Sequence, residues 1–504
     1  MSSKVQHPET QACRWRQHGA VMQSMTSDRR RVIIIGGGAS GVLLACHLLR
    51  RPVNDLDVTL IEKRPDVGRG IAYYSANPDH LLNVRAANMS AFPDQPDHFW
   101  RWLSGRRDES RVRWQECDDP FCFVPRRIYG DYIASLIEPL LSDAERPGRL
   151  QIVHGECTAI DQGSCGVAIT LADGACLQGD FAVLATGHET APCRSGCYAD
   201  PWIPPADAGV TETAKILIVG TGLTMIDYVL SLVLAGHKGP IFALSRHGLL
   251  PRAHRSVQPL SIDRRDVPFG ADISRLCGWL RKVIDEHTAQ GGDWRSVIDG
   301  IRPFTQEIWQ GLSISSRRKF LEHVRAWWDV HRHRMAPEVE RRIDSAIASR
   351  RLTVLAAKLC AIETDEAGAL VRYRRRGTHV VETMAVDKIV DCRAVGATPF
   401  KVANPALRSL LERGLARLDP LHIGLDVAAD CALVDRFGEV SGRLFAVGPL
   451  TRAAFWEIVA VPDIRNQCTA LANRLLRVAG HAFPPRSTSY VSRSAANLVD
   501  NLSP

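Results

Sequence analysis

A strand-like apolar run that empties into a glycine turn and then a helix admits very few folds, and this 504-residue chain contains two of them. The first begins at Arg31 with Val32-Ile33-Ile34-Ile35, suited to a buried parallel strand. Gly36-Gly37-Gly38-Ala39-Ser40-Gly41 follows, then a Leu- and Ala-rich helix over Val42 to Leu49. A second strand, Asp57 to Ile61, ends in Glu62 and is followed by Lys63. In Gly36-x-Gly38-x-x-Gly41, the first glycine permits a tight turn and the second lets backbone approach a pyrophosphate. The third lets helix pack closely on strand. The helix N-terminus then offers free N–H groups and a favourable dipole to an anion. Glu62 stands 21 residues after Gly41, where an acid hydrogen-bonds a ribose diol and repels a 2′-phosphate.

The pattern returns at Lys215 to Val219, with Gly220-Thr221-Gly222-Leu223-Thr224-Met225, a helix over Ile226 to Leu234 and a strand over Pro240 to Ser245. Met225 replaces the third glycine, so this helix is expected to pack differently on its strand. The turn and the pyrophosphate approach need only Gly220 and Gly222, with Leu223 and Thr224 opening the helix. No acid ends the second strand. Ser245-Arg246-His247 stands there, with Arg252 and Arg255 beyond. Cations at that point suit a 2′-phosphate and favour NADPH over NADH. An exposed basic loop with no ligand gives the same sequence.

The expected fold is therefore α/β, with two Rossmann-like dinucleotide-binding domains, each three-layered around a parallel sheet, and a helical insertion. The first domain is expected over 29–210 and 386–480. The second, over 211–385, holds the insertion at about 271–350, where Ile273, Leu276, Trp279, Leu280 and Val283 recur at helical spacing and Pro303 and Pro337 act as breaks. Residues 1–28 read as a flexible leader, 481–504 as a tail and Pro192 to Pro205 as a linker. Two features favour FAD in the first cradle. Phe181 to Leu184 ends in Ala185-Thr186-Gly187, a turn small enough to approach a flavin nucleotide. Phe445 to Val447 ends in Gly448, placing another turn near the same ligand.

A net charge of +8 favours anionic small molecules but is too small and too dispersed for nucleic acid. The longest uncharged run, Val32 to Leu49, is better explained by the strand–turn–helix than by a membrane span. No membrane partner is expected. The fourteen cysteines lack a framework spacing and read as reduced thiols of a cytoplasmic protein. No residue set has metal-ligand spacing. His331 and His333 have no companions, and Trp327 to Arg334 reads as a solvated helix face with two core tryptophans.

Further stretches resemble a known family. Gly68-Arg69-Gly70-Ile71-Ala72-Tyr73, Leu81-Leu82-Asn83-Val84 with Asn88-Met89, and Phe123 to Tyr132 are similar to FAD/NAD(P)-binding proteins of the flavin monooxygenase-like type. So are Gly220 to Asp227 and Val461 to Gln467. The resemblance runs from about Arg30 to about Leu476. The group includes FAD-dependent urate hydroxylases and N-hydroxylating monooxygenases. It implies FAD, NADPH or NADH, O₂ and a small-molecule substrate, with hydroxylation through a flavin C4a-hydroperoxide. It also places Arg69, Tyr73, Asn83 and Asn88 toward the flavin, with Asn83 and Arg69 as catalytic candidates. Arg126 is implied on the adenine or pyrophosphate side. Trp456 and Glu457 precede the closing helix, whose N-terminus would face the flavin.

Within that family the expected substrate is a small polar molecule, with urate or a related purine first. N-hydroxylation of an amino acid or amine is the alternative, then an NADPH oxidase or reductase, or a non-catalytic FAD-binding sensor. A disulfide reductase ranks low, because Cys46 on the first helix has no redox partner nearby in sequence and neither Cys117/Cys122 nor Cys193/Cys197 lies on that helix.

Overall fold

A computed structural model describes residues 29–50, 56–75, 77–106, 119–144, 146–187, 196–365, 368–393 and 404–479. The expected leader and tail, the first part of the linker, Cys117 and Cys193 lie outside the described residues.

The first sheet has six strands, in the order Ala432–Val434, Val440–Ala446, Phe181–Leu184, Arg30–Ile35, Leu56–Glu62 and Leu150–His154. All pair in parallel except the first two, which are antiparallel. Its central strand shows why the sequence reads as an unbroken apolar run. Val32 and Ile34 enter one core, against the helices Ala39–Leu49 and Val461–Ala479. Ile33 and Ile35 enter another on the opposite face. Side chains alternate with period two, so a strand covered on both sides must be apolar at every position.

That second face is covered by a small antiparallel sheet, Cys157–Gln162, Val167–Leu171 and Cys176–Gly179, and by the helix Pro405–Arg413. The sequence reading did not see this layer, because its strands are short and half exposed and carry no glycine motif.

The second sheet runs Val381–Val386, Ala369–Arg375, Leu352–Thr364, Ile241–Ser245, Ile216–Val219, Lys388–Asp391 and Tyr198–Ala199. Its last five strands are parallel, and Val381–Val386 and Ala369–Arg375 form an antiparallel flap. Two strands outside the expected 211–385 segment, Tyr198–Ala199 and Lys388–Asp391, thus hydrogen-bond in this sheet. Met225 is fully buried and packs with Ile218 and Val229, filling the space a third glycine would leave.

The insertion is helical from Ile273–Ala289 through Pro337–Ala348, and Asp272, Asp293 and Ser313 side chains cap three of its helices. Pro337 opens its helix rather than breaking one, since proline at the first helical position lacks only an N–H that would have no partner. The insertion leaves its own sheet. Trp309 stacks on Trp456 with ring centres 4.5 Å apart and donates to the Ala453 carbonyl at 2.8 Å. It thereby clamps the turn ahead of Val461–Ala479. No helix among the described residues is long and apolar enough to cross a membrane.

Candidate functional site

The two glycine turns are near copies in dihedral angle. Gly36 has φ +107° and Gly220 φ +111°. A β-carbon on either would stand 2.6 Å from a carbonyl oxygen, of Ala185 or of Cys392. Gly38 and Gly222 then precede the helices Ala39–Leu49 and Leu223–Leu234 with ψ of −169° and −168°, and neither helix has a side-chain cap. Uncapped N-termini leave donors for an anion, which is what a pyrophosphate needs. A β-carbon on Gly41 would stand 2.0 Å from the Gly36 carbonyl oxygen, so helix and turn touch through backbone alone.

Glu62 is held by two backbone donors, Gly37 N at 2.7 Å and Arg64 N at 3.0 Å. They fix the carboxylate at the cradle's edge, on the cavity wall. A β-carbon on Gly37 would stand 2.8 Å from the Glu62 Cβ, so this glycine, which the motif treats as variable, has its own task. Glu62→Gln is expected to weaken FAD about tenfold through loss of charge-assisted hydrogen bonds. Flavin titration of the apoprotein measures it.

Both cradles open on one cavity of about 850 Å³. Its lining includes Gly36, Gly38, Ser40, Glu62, Lys63, Arg69, Tyr73, Asn83, Arg126 and Gly187 from the first unit. From the second come Gly220, Gly222, Leu223, Thr224 and Arg246. Gly41 lies behind the turn. Gly448 also stands back, against Ser40, with its N–H donated to the Gln467 side chain at 2.7 Å, while its neighbour Pro449 lines the cavity. Asn88 and Arg255 open on a different cleft, and Arg252 lines neither.

At the second strand's end Ser245 Oγ accepts from Gly248 N at 3.0 Å, and Thr221 donates to the Leu249 carbonyl at 2.6 Å. The loop is braced there without an acid, and Arg246 is its exposed cation on the cavity wall. Arg246→Gln is expected to lower kcat/KM for NADPH about tenfold and to leave NADH nearly unchanged, as loss of a phosphate-pairing guanidinium would. Equal losses with both cofactors would remove the phosphate role.

The units are fastened beside the cavity. Arg126 pairs with Asp227 of the second unit's helix at 2.9 Å. His80 Nε2 lies 2.8 Å from the Asp227 carbonyl and 2.9 Å from Ser231 Oγ. A second, larger cleft of about 2360 Å³ adjoins the cofactor cavity, and their shared wall forms the neck between them. Asn83, Val84, His333, Trp456, Glu457 and Ala460 line both spaces.

Glu457 at this neck is buried, yet has the left-handed φ of +66°. Trp328 Nε1 donates to it at 2.5 Å and Arg332 Nε at 2.8 Å. Such a conformation costs about 1–3 kcal/mol in a residue with a β-carbon and persists where surroundings enforce it. The expected pair of core tryptophans is thus corrected. Trp327 is 43% exposed, and Trp328 acts through its N–H on a carboxylate 129 positions away. Nothing in the local helical pattern carries that contact. Burial holds His333 below the usual histidine range, against the opposing pull of Glu457 and Asp329. It therefore stands at the neck as a neutral imidazole.

The cysteines lining the cofactor cavity are Cys157 and Cys392. Burial pushes Cys157 up to about 12 and Cys392 well above the ordinary thiol value. Neither supplies a thiolate for disulfide exchange near pH 7. Cys122, on the larger cleft, is disulfide-bonded, which corrects the expectation that every cysteine is reduced. Ten other described cysteines are free. No group of three or more His, Cys, Asp or Glu among the described residues is placed to hold a metal ion.

A family model described as FAD-NAD(P)-binding matches residues 33–189. This stretch is an FAD-NAD(P)-binding domain. It contains the first glycine cradle, Glu62, Arg126 and the Ala185-Thr186-Gly187 turn. No curated protein matches the chain in sequence. Solved structures match nearly its whole length. L-lysine 6-monooxygenase from Pseudomonas syringae has a TM-score of 0.60 at 15% identity, over 90% of this chain and 100% of its own. Kutzneria sp. 744 ornithine N-hydroxylase, solved with reduced FAD, NADP⁺ and L-ornithine, has 0.61 at 14%, over 89% and 99%. The FAD-bound cadaverine monooxygenase of Erwinia amylovora has 0.59 at 13%, over 94% and 100%. At these identities the likeness establishes the fold: the FAD-NAD(P)-binding domain is joined to a second dinucleotide-binding unit as in N-hydroxylating flavin monooxygenases.

Proposed function

We propose that the chain is an FAD-dependent, NAD(P)H-consuming monooxygenase that N-hydroxylates an amine. The observation that carries this reading is the convergence of two matched cradles on one cavity, with a second cleft meeting it at a neck. An external monooxygenase needs those three spaces, one each for flavin, nicotinamide and substrate. The chain-wide likeness to lysine, ornithine and cadaverine monooxygenases supports an amine over a purine.

The residues fit the two cofactors. Gly36, Gly38 and the uncapped helix start at Ala39 would hold the FAD pyrophosphate, with Glu62 on its ribose. Gly220, Gly222 and the helix start at Leu223 would hold that of the nicotinamide nucleotide, with Arg246 at its 2′-phosphate. When bound, FAD supplies hydride acceptance from NADPH and, once reduced, O₂ activation. The chain supplies the rest. The Arg126–Asp227 pair and the His80 contacts hold the cradles in register. The stack of Trp309 on Trp456 would make one part of the wall apolar and hold it in place. At the neck, Asn83 would offer a hydrogen-bonding amide and His333 an uncharged imidazole to whatever the two spaces share.

The test is anaerobic reduction of the purified yellow holoprotein by NADPH, followed by O₂ with L-lysine, L-ornithine, cadaverine or urate. NADPH-dependent formation of a hydroxylamine supports the reading. Hydroxylation of urate instead would move the substrate to the purines. NADPH consumption with hydrogen peroxide as the sole product would make the chain an oxidase, and no flavin reduction would make it a sensor.

A further inference from the structure

We propose that the substrate carries an anionic group, a carboxylate or a phosphate, and is held by it on an arginine wall of the larger cleft while its reacting atom reaches the neck. This rests on the monooxygenase reading and deepens it.

The cleft is lined by eleven arginines, eight acids and no lysine. Most of the acids are already neutralised. Asp79, Asp299, Asp430, Glu457 and Asp463 each pair with an arginine of the cleft, and Asp131 pairs with Arg69. Arg85, Arg127, Arg341 and Arg465 have no carboxylate partner among the described residues. On the acidic side, Asp119 and Glu338 have no basic partner among the described residues. Arginine charge without a carboxylate partner is thus in excess over acidic charge without a basic one, although Arg85 and Arg465 also donate to the Arg255 and Ser90 carbonyls.

Three of those arginines stand on segments hydrogen-bonded to one another. Arg85 immediately precedes the short turn Ala86–Asn88, whose Ala86 N–H donates to the Cys122 carbonyl at 3.0 Å. Arg465 donates to the Ser90 carbonyl just beyond that turn at 2.7 Å, and its Nε has no partner. Arg127 stands in the first turn of Arg126–Ser135, after a stretch that bridges Leu81. Successive helical residues point about 100° apart, so Arg126 faces the cofactor cavity while Arg127 faces the cleft.

Deeper in, Arg334 is 3% exposed and pairs with Asp299, yet its Nε and one terminal nitrogen have no acceptor. A buried guanidinium left half satisfied is costly, and a nearby anion lowers that cost. Arginine in place of lysine throughout also fits planar, bidentate recognition of carboxylate or phosphate. The same segment carries Asn83 to the neck, two positions before Arg85, so one short stretch addresses both ends of a substrate.

The test uses holoprotein loaded with FAD and NADP⁺, titrated with matched amines that differ in the acid. L-Lysine is compared with cadaverine, L-ornithine with putrescine, and O-phosphoethanolamine with ethanolamine, with binding read by calorimetry. The acid-bearing member of at least one pair is expected to bind about tenfold more tightly or better, the worth of one charge-assisted pair. The pair that shows the gap tells carboxylate from phosphate. In an R85Q/R127Q variant the gap is expected to fall to about twofold, with retained flavin absorbance as the check on folding.

Equal binding within every pair, or no binding of any acid, overturns the proposal. So does a gap that survives in the flavin-retaining double variant. Should that variant fail to hold flavin, the comparison of pairs on the unaltered protein still decides. Acid-selective binding without NADPH-driven flavin reduction would sink the monooxygenase reading alone. Amine hydroxylation without acid selectivity would sink this one alone.

Discussion

Gly38→Ala is expected to yield a folded protein that loses its flavin. The space behind Gly38 is permissive. An added β-carbon would meet the Gly70 Cα at 3.5 Å, an ordinary contact, and φ −71° is open to alanine. The methyl group would instead occupy the approach that a pyrophosphate makes to the turn. Overpacking of that kind costs about 1–3 kcal/mol, up to roughly a hundredfold in affinity. Flavin absorbance after purification and the apoprotein melting temperature measure the two halves. Full flavin content with normal melting would show that the first cradle does not hold FAD. Gly41→Ala is the less informative change, because its methyl would strike the Gly36 carbonyl and unseat helix and turn together.

Gly222→Ala is expected to keep the protein yellow and to block its reduction. Nothing lies within 4 Å of a β-carbon there, and φ −85° suits alanine, so fold and first cradle are untouched. The methyl would stand where the nicotinamide nucleotide's phosphates approach. By the same reasoning as at Gly38, the rate of flavin reduction at subsaturating NADPH is expected to fall up to about a hundredfold. Stopped-flow reduction checks it, and dithionite should still bleach the flavin. An unchanged rate would place hydride donation elsewhere. Gly220 cannot serve in this role, since φ +111° and the nearby Cys392 carbonyl make any substitution there a folding defect.

The two variants separate functions that share one architecture, and the chance to do so comes from how the chain was legible. The glycine turns could be read directly, because a turn that must accept backbone contact and a positive φ permits one residue type. Glu62 could be read because its distance from the turn is set by one helix and one strand. Trp328 and Arg332 could not. Their helix has an ordinary amphipathic pattern, and only the packing of the insertion onto another domain turns them toward Glu457. The arginine wall was equally hidden, since Arg85, Arg127 and Arg465 come from segments far apart in the chain, and net charge does not say where charges gather.

By itself the sequence determined the two βαβ units and the helical nature of the insertion. Each depends on contacts between residues within about thirty positions, the span over which a single βαβ unit closes on itself. The tertiary structure alone decided that both units open on one cavity, that the insertion grips the turn before the closing helix, and that arginines with no carboxylate partner among the described residues face the cleft beside the neck. Those features arise from surfaces meeting across hundreds of positions. Burial there is set by the partner surface, which no local pattern encodes.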